Sequence, residues 1–94
     1  MIVIAVTVRV PHSELDGLKD QIGMLVSASR AENGVLAYSF AVDMLDPELV
    51  RIFEVYEDQA ALDAHMTSPH FLSWKRSSAN LVRVERWLTD ALAR

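Results

Sequence analysis

The sequence predicts an α+β domain of the ferredoxin-like type, with its elements in the order βαββαβ. Four segments alternate between two side-chain sets with a period of two, which is typical of strands. Two further segments have the periodicity of amphipathic helices and lie between strands. This order produces a four-stranded antiparallel sheet with its helices on one face. At 94 residues, the chain is expected to form a single domain over residues 1–94.

The first strand is predicted over residues 2–10, where β-branched residues dominate and the even positions form a strongly apolar face. Pro11 ends it, because proline cannot donate a hydrogen bond to the ladder. The following helix is predicted to begin at Ser13, since Ser13 and Asp16 resemble a capping box. Its apolar positions recur at helical spacing until Gly34, which supplies the left-handed residue that ends a helix.

The second and third strands are predicted over residues 35–42 and 49–56, and we expect them to form an antiparallel hairpin. Asp58 can cap the next helix. Ser68-Pro69 has the pattern of a new N-cap followed by proline at the first helical position, so we expect a break and a second short helix. The last strand is predicted over residues 81–88, with valines and charged residues in regular alternation.

Composition excludes several classes of function. Cysteine is absent, so neither a disulfide nor a thiolate metal site is expected. A net charge of −4 with scattered cations argues against nucleic acid as a partner. The longest apolar run, Met1 to Val6, is far shorter than the about 20 residues that cross a bilayer. No secretory signal is visible, so we expect a cytoplasmic protein with no membrane partner.

The predicted architecture leaves one face of the sheet without helices. That face would still carry aromatic and aliphatic side chains, and an uncovered apolar sheet face is an association surface. We therefore expect a homodimer in which two sheets pack face to face. The alternative is a monomer whose second helical segment folds over the sheet.

Glu54 is the first candidate for chemistry, because it lies on a strand that is largely apolar on both faces. An isolated buried carboxylate is costly, so Glu54 should be paired, hydrogen-bonded or protonated. One interpretation is a general acid or base with a raised pKa. The other is a structural ion pair with Arg9, Arg51 or Arg83.

His65 and His70 are the next candidates. His65 follows Glu54 by eleven residues, on the helix that the third strand leads into, so the two could form a proton-transfer couple facing one cavity. An iron site built from Glu54, His65 and His70 is conceivable. However, Pro69 interrupts the spacing of the histidines, which differs from the i,i+4 pair of a metal-binding helix. We expect no metal, and a purely structural role for the histidines stays open.

Aromatic residues could shape a pocket for a flat ligand, although they could equally form the core or a dimer contact. The candidates are Tyr38, Phe40, Tyr56, Phe71 and Trp74. Glycine occurs only at positions 17, 23 and 34, so the sequence has neither a Rossmann fingerprint nor a P-loop. A nucleophile elbow is missing as well. We therefore expect no nucleotide cofactor.

Two stretches resemble one known family. The residues Glu54-Val55-Tyr56-Glu57-Asp58, Ala60-Ala61-Leu62, His65 and Ser68-Pro69-His70-Phe71 are similar to the signature of the antibiotic biosynthesis monooxygenase (ABM) family. The segment Ser29-Arg30-Ala31-Glu32-Asn33-Gly34, leading into Tyr38, resembles the family's link between the first helix and the second strand. The resemblance implies a dimeric α+β barrel with a pocket between sheet and helices in each protomer.

The resemblance also implies an activity. It suggests a cofactor-independent monooxygenase that oxidises a quinol-like or phenolic small molecule with O2, the substrate itself supplying the electrons. Glu54 and His65 would handle protons, and His70 would assist or orient.

Relatives with other activities leave alternatives open. Enzymes that isomerise or degrade a phosphorylated autoinducer-2-type signal are similar to this chain around Glu54, Tyr56, His65 and Pro69-His70. Their phosphate would need nearby cations, for which the candidates are Arg9, Arg51, Arg83 and Lys75. Haem degradation is disfavoured, because Val6-Thr7, His65 and Lys75 stand where haem-degrading members carry Asn, Trp and His. A non-enzymatic dimeric ligand-binding module is the third alternative.

Overall fold

The structure, a computed structural model, describes residues 1–90 as one sheet packed against three helices. In chain order the elements are β1 (Ile2–Arg9), α1 (His12–Arg30), β2 (Val35–Val42), β3 (Leu49–Tyr56), α2 (Gln59–Met66), α3 (Pro69–Ser77) and β4 (Val82–Asp90). The strands lie in the order β2-β3-β1-β4, and every neighbouring pair is antiparallel. This confirms the predicted ferredoxin-like α+β fold, including the hairpin of β2 and β3. No helix in the described part is long and apolar enough to cross a bilayer.

Local hydrogen bonds confirm the two predicted caps. The Asp58 carboxylate accepts a hydrogen bond from the backbone N–H of Ala61 at 2.9 Å, which begins α2. The Ser68 hydroxyl accepts one from the backbone N–H of Phe71 at 3.3 Å, and Pro69 occupies the first position of α3. The break between α2 and α3 therefore lies where the sequence predicted it.

The capping box predicted for α1 is wrong. The helix begins at His12, directly after Pro11, and no side chain caps it. Instead, the Pro11 carbonyl accepts hydrogen bonds from the backbone N–H groups of Glu14 and Leu15, at 2.8 and 3.2 Å. Because the helix already begins before Ser13, this residue lies in the first turn, where its side chain cannot act as an N-cap.

The hydrophobic core lies between the helices and one face of the sheet. The even-numbered residues of β1 and β3 point into it, with Ile4, Val6 and Ile52 at 9% exposure or less. Leu25 of α1 and Trp74 of α3 pack against them from the helix layer. A molecule bound between sheet and helices would therefore contact the even-numbered side chains of these two strands.

The strand β4 departs from the regular alternation that the sequence predicted, and it extends to Asp90. Glu85 pairs with Thr7 but Arg83 pairs with Val8, so Val84 is an extra residue in a β-bulge. The extra residue shifts the phase of the strand. As a result Arg83 and Arg86, which would otherwise point to opposite faces, both lie on the face that packs against the helices.

The outer face of the sheet is partly apolar. Phe53 and Trp87 flank Ala5 from the two neighbouring strands, and their exposed fractions are 46% and 68%. The next row is polar, with the Arg51 guanidinium donating to the Thr7 hydroxyl at 3.2 Å. The helix α3 packs beside α1, so it does not fold over this face as the monomer alternative required. The homodimer stays a prediction.

Candidate functional site

A cavity of about 230 Å³ lies between the sheet and the helices α2 and α3. Its volume exceeds that of the ~150 Å³ apolar cavities that bind benzene. The lining is mostly apolar and aromatic, with a few ionisable groups among them, which is the usual composition of a small-molecule site. The side chains that matter for chemistry are Tyr38, Glu54, His65, Phe71, Trp74, Lys75, Arg83 and Arg86.

Three segments bring Glu32, His65 and His70 together. The His65 Nδ1 lies 2.8 Å from the Glu32 Oε2, and the His70 Nε2 lies 2.6 Å from the same oxygen. Glu32 follows the end of α1, while the histidines belong to α2 and α3. The cap at Ser68 places the two histidines on one carboxylate, because the hydroxyl that begins α3 also donates to the His65 carbonyl at 2.6 Å.

The turn after α1 sets the position of Glu32. Gly34 has a φ of +83°, a conformation that favours glycine, and an added Cβ there would lie 2.6 Å from the Ala61 Cβ of α2. The Gly34 carbonyl accepts a hydrogen bond of 2.7 Å from the backbone N–H of Glu57. The turn is thereby held close against the start of α2, and Glu32 reaches the side chain of His65.

His65 is the central group of the site, with only 1% of its surface exposed. A carboxylate can only accept, so the hydrogen bond to Glu32 assigns the proton of the neutral imidazole to Nδ1. Nε2 then carries the lone pair, and it is buried without a hydrogen-bond partner among residues 1–90. Because Glu32 is not among the residues that line the cavity, Nε2 is the ring nitrogen available to a molecule bound there.

Glu54 forms a second polar group at the cavity. The Tyr56 hydroxyl donates a hydrogen bond of 2.5 Å to the Glu54 Oε1. Burial raises the pKa of Glu54. The Tyr56 hydrogen bond, the attraction to His65 when its imidazole is protonated, and the charge of Arg86 oppose this effect. Burial and the Glu54 charge raise the pKa of both Tyr38 and Tyr56, so these two phenols stay protonated. Glu54 therefore keeps its proton to higher pH than an exposed glutamate does, at a position that lines the cavity.

The ion pairs considered for Glu54 are wrong. Arg9 pairs with Asp46 and Glu48, and Arg51 pairs with Asp43, both away from the cavity. Arg83 lines the cavity but forms no ion pair with Glu54. The partner of Glu54 is the hydroxyl of its neighbour on the same strand face.

The structure brings most of the predicted site residues to one cavity. Tyr38, Glu54, His65, Phe71 and Trp74 line it. The hydrogen-bond partner of His65 is Glu32 and not Glu54, so the two groups selected for proton transfer face the cavity from separate hydrogen-bond pairs.

Three predicted residues lie behind the lining. The His70 Nε2 contacts the same Glu32 oxygen as His65 does, and the Tyr56 hydroxyl donates to Glu54. Phe40 packs against Trp74 in an edge-to-face contact, with ring centroids 5.4 Å apart and planes at 83°. Phe40 and Tyr56 thus contact side chains that line the cavity, whereas His70 contacts Glu32, which does not line it.

Glu32 is the residue of this cluster that the sequence did not indicate. It stands in the stretch that resembles the family, but locally it looks like any acid after a helix. The ligand atoms of Glu32, His65 and His70 lie within 4.8 Å of one another, and such a donor set could hold a divalent cation. The hydrogen bonds from both histidines to Glu32 satisfy these ligand atoms without a cation.

Comparisons with known proteins give consistent results. The model of the antibiotic biosynthesis monooxygenase family matches residues 1–77. A crystal structure of an antibiotic biosynthesis monooxygenase superposes with a TM-score of 0.84 at 27% identity, covering 98% of this chain and 99% of that one. A Nitrosomonas europaea structure shares the fold, with a TM-score of 0.85 at 22% identity and coverage of 98% and 99%.

Two curated relatives are longer than this chain. An uncharacterised Synechocystis protein is 30% identical over 81 residues, which is 86% of this chain and 55% of that protein. A Mycobacterium tuberculosis protein, provisionally named a monooxygenase, is 32% identical over 65 residues, which is 69% of this chain and 63% of that protein. The chain thus spans less than two thirds of the length of either relative.

Proposed function

Because the chain belongs to the antibiotic biosynthesis monooxygenase family, we propose that it is a monooxygenase that oxidises a quinol-like or phenolic small molecule with O2, without metal, flavin or nucleotide. Family membership supports a monooxygenase-like oxidoreductase in general terms. The observation that carries the finer proposal is the geometry of His65. Its imidazole is buried at the cavity, its Nδ1 is hydrogen-bonded to the Glu32 carboxylate, and its Nε2 has no partner among residues 1–90 and is available to a ligand.

In the proposed first step, the His65 Nε2 takes the proton of the substrate's phenolic hydroxyl. Glu32 stabilises the imidazolium that forms, because its carboxylate already accepts the Nδ1–H hydrogen bond. His70 positions Glu32 from the other side and keeps its oxygen directed at His65. The phenolate spreads its charge onto a ring carbon, which becomes electron-rich enough to react with O2.

The oxygen and electron balance needs no further reductant. The ring carbon, which carries one hydrogen, forms a bond to O2 and gives a peroxide while the phenolate becomes a ketone. Protonation of the peroxide and loss of water then convert that carbon into a second ketone. A CH2 group of the keto tautomer thus becomes C=O, one oxygen atom enters the product and the other leaves as water. The substrate supplies all four electrons.

His65 gives the phenolic proton to the hydroxide that leaves. In this scheme Glu54 protonates the peroxide and then takes up the proton that leaves the ring carbon, so both residues return to their starting states. Glu54 lines the same cavity, and its raised pKa makes the protonated form accessible at higher pH than for an exposed glutamate. Tyr56 holds the carboxyl in place, since its hydroxyl is buried and donates to Glu54. The rings of Tyr38, Phe71 and Trp74 offer apolar surface to a flat substrate and exclude water.

Oxygen consumption tests the proposal. Protein dialysed against EDTA should consume O2 with members of a panel of polycyclic phenols and anthrones, with no added flavin. With ¹⁸O2, one labelled atom should enter the product.

Two variants make the test specific. His65→Gln should lower kcat by at least about a hundredfold, the usual contribution of a general base. His12→Gln, at the exposed start of α1, is the matched control and should keep full activity. Equal activity of both variants would contradict the role of His65. Loss of activity on EDTA treatment, restored by a metal ion, would contradict the cofactor-independent mechanism.

We also propose that the protein acts as a homodimer. Phe53 and Trp87 are large and exposed, and they flank Ala5 on the outer face, where a second copy of the same sheet offers a complementary apolar surface. Sedimentation velocity at micromolar concentration should give a dimer, and Trp87→Ser should weaken it. A stable wild-type monomer at that concentration would refute the proposal.

The isomerase alternative has one observation in its favour, which is that Lys75 and Arg83 line the cavity. Turnover of a phosphorylated ketose without O2 would support it over the monooxygenase. Binding without either activity would support a ligand-binding module.

A further inference from the structure

The cavity has a charge opposite to that of the protein. The chain carries a net charge of −4, yet three of the ionisable side chains that line the cavity are the cations Lys75, Arg83 and Arg86. The one carboxylate among the lining residues is Glu54, and burial raises its pKa. A cleft lined by one sign of charge concentrates ligands of the other sign, even on a protein of the same net charge as the ligand.

The bulge in β4 produces this arrangement. Arg86 pairs with Val6 and Arg83 with Val8, and both valines lie on the helix side of the sheet and line the cavity. In a regular strand, residues three apart point to opposite faces. The extra residue Val84 therefore brings a second guanidinium to the cavity. Bulges commonly redirect side chains in this way next to binding sites.

These cations also differ from other basic residues of the chain in their partners. Arg9 and Arg51 form ion pairs with carboxylates, and the Arg30 guanidinium donates to the Tyr38 carbonyl at 2.8 Å. Among residues 1–90, neither Lys75, Arg83 nor Arg86 forms an ion pair or a side-chain hydrogen bond. Beside the cavity, no acceptor among residues 1–90 neutralises their charge, apart from the longer-range attraction between Arg86 and Glu54.

We propose that the substrate is an aromatic anion, with a carboxylate, sulfonate or phosphate group that binds Arg83, Arg86 and Lys75. Guanidinium groups match the geometry of such oxyanions and bind them through paired N–H donors. The three cations lie at the solvent-exposed side of the cavity, whereas His65 and Trp74 lie at its buried side. An anion held at the open side would direct the phenolic end of the molecule inward, towards His65. The reaction that follows binding rests on the proposed function, but the anion site does not.

Two fluorescent probes that differ in one charged group test the inference. Anilinonaphthalene sulfonate and phenylnaphthylamine share an aromatic body, and only the first carries an anion. We expect the sulfonate probe to bind the wild-type protein at least about tenfold more tightly. The variants Arg83→Gln and Arg86→Gln should each weaken its binding by roughly tenfold and leave the neutral probe unchanged. The neutral probe thus serves as the control for folding.

Arg76→Gln is the matched control variant, since it removes the same charge one residue from Lys75 but from a side chain that does not line the cavity. It should bind both probes as the wild type does. Equal weakening by Arg76→Gln and Arg83→Gln would overturn the inference, because the effect would then be one of net charge. Competition provides a second check. If ribose 5-phosphate displaces the sulfonate probe more effectively than hydroxynaphthoate does, the inference is also overturned, because the ligand would not need an aromatic body.

Catalysis separates the two proposals. If the arginine variants lose sulfonate binding while no phenol supports O2 uptake, the anion site stands and the proposed monooxygenase fails. If neutral phenols are oxidised with the same kcat/KM as their carboxylated analogues, and the arginine variants do not change it, the monooxygenase stands and the anion site fails.

Discussion

Replacement of Gly34 by alanine should destabilise the protein strongly. The positive φ of +83° at this position costs an L-residue about 1–2 kcal/mol. The new Cβ would also lie 2.6 Å from the Ala61 Cβ, so the turn and α2 would have to move apart. Overpacking of this kind typically costs a further ~1–3 kcal/mol. We expect the free energy of unfolding to fall by about 2–5 kcal/mol, or Tm by at least about 10 °C in a domain of this size.

Urea unfolding followed by circular dichroism measures this loss. Gly17→Ala and Gly23→Ala are matched controls, since both glycines lie in α1 and an added Cβ meets nothing within 4 Å. Each should raise stability by about 1 kcal/mol, the difference in helix propensity.

A double-mutant cycle separates the two costs at Gly34. Ala61→Gly removes the atom that the new Cβ would strike, so it should recover the steric part of the loss and leave the φ part. If Gly34→Ala proves as stable as the wild type, or if the cycle gives no coupling with position 61, the close packing of the turn on α2 is wrong.

Two further predictions concern the site and its caps. The pKa of Glu54 is raised in the folded protein, so the native state binds the carboxyl proton more tightly than the unfolded chain does. The free energy of unfolding therefore falls as pH rises above about 4.5, the ordinary pKa of a glutamate. Glu54→Gln keeps an acceptor for Tyr56 and should gain stability over the wild type as pH rises from 4 towards neutral, by roughly 1.4 kcal/mol per unit of pKa difference; a pH-independent difference in urea unfolding would contradict this. Asp58→Ala removes the cap of α2 and should cost about 1 kcal/mol. Its control Asp63→Ala should stay within about 0.5 kcal/mol, and equal losses would exclude capping as the cause.

The sequence alone predicted every element, because local signals specify them. Alternation at period two marks the strands whatever they pack against. Ser68-Pro69 breaks the helix through a hydroxyl cap and a fixed φ, which act within four residues. The start of α1 was misplaced, since Ser13 carries a cap signal but the Pro11 carbonyl had already begun the helix.

The candidate site was predicted only in part, because local patterns reveal single residues but not the contacts between distant ones. Glu54 and His65 stand out as polar residues in apolar segments, which a sequence reveals. The partner of His65 is 33 residues away, and a hydrogen bond over that separation exists only because the Gly34 turn packs on α2.

The bulge at Val84 depends on tertiary pairing in the same way, since one extra residue in β4 is defined only against its partner β1. Composition and periodicity therefore determined which elements this chain forms. Tertiary structure decided which side chains meet, because packing brings together residues that no local pattern connects.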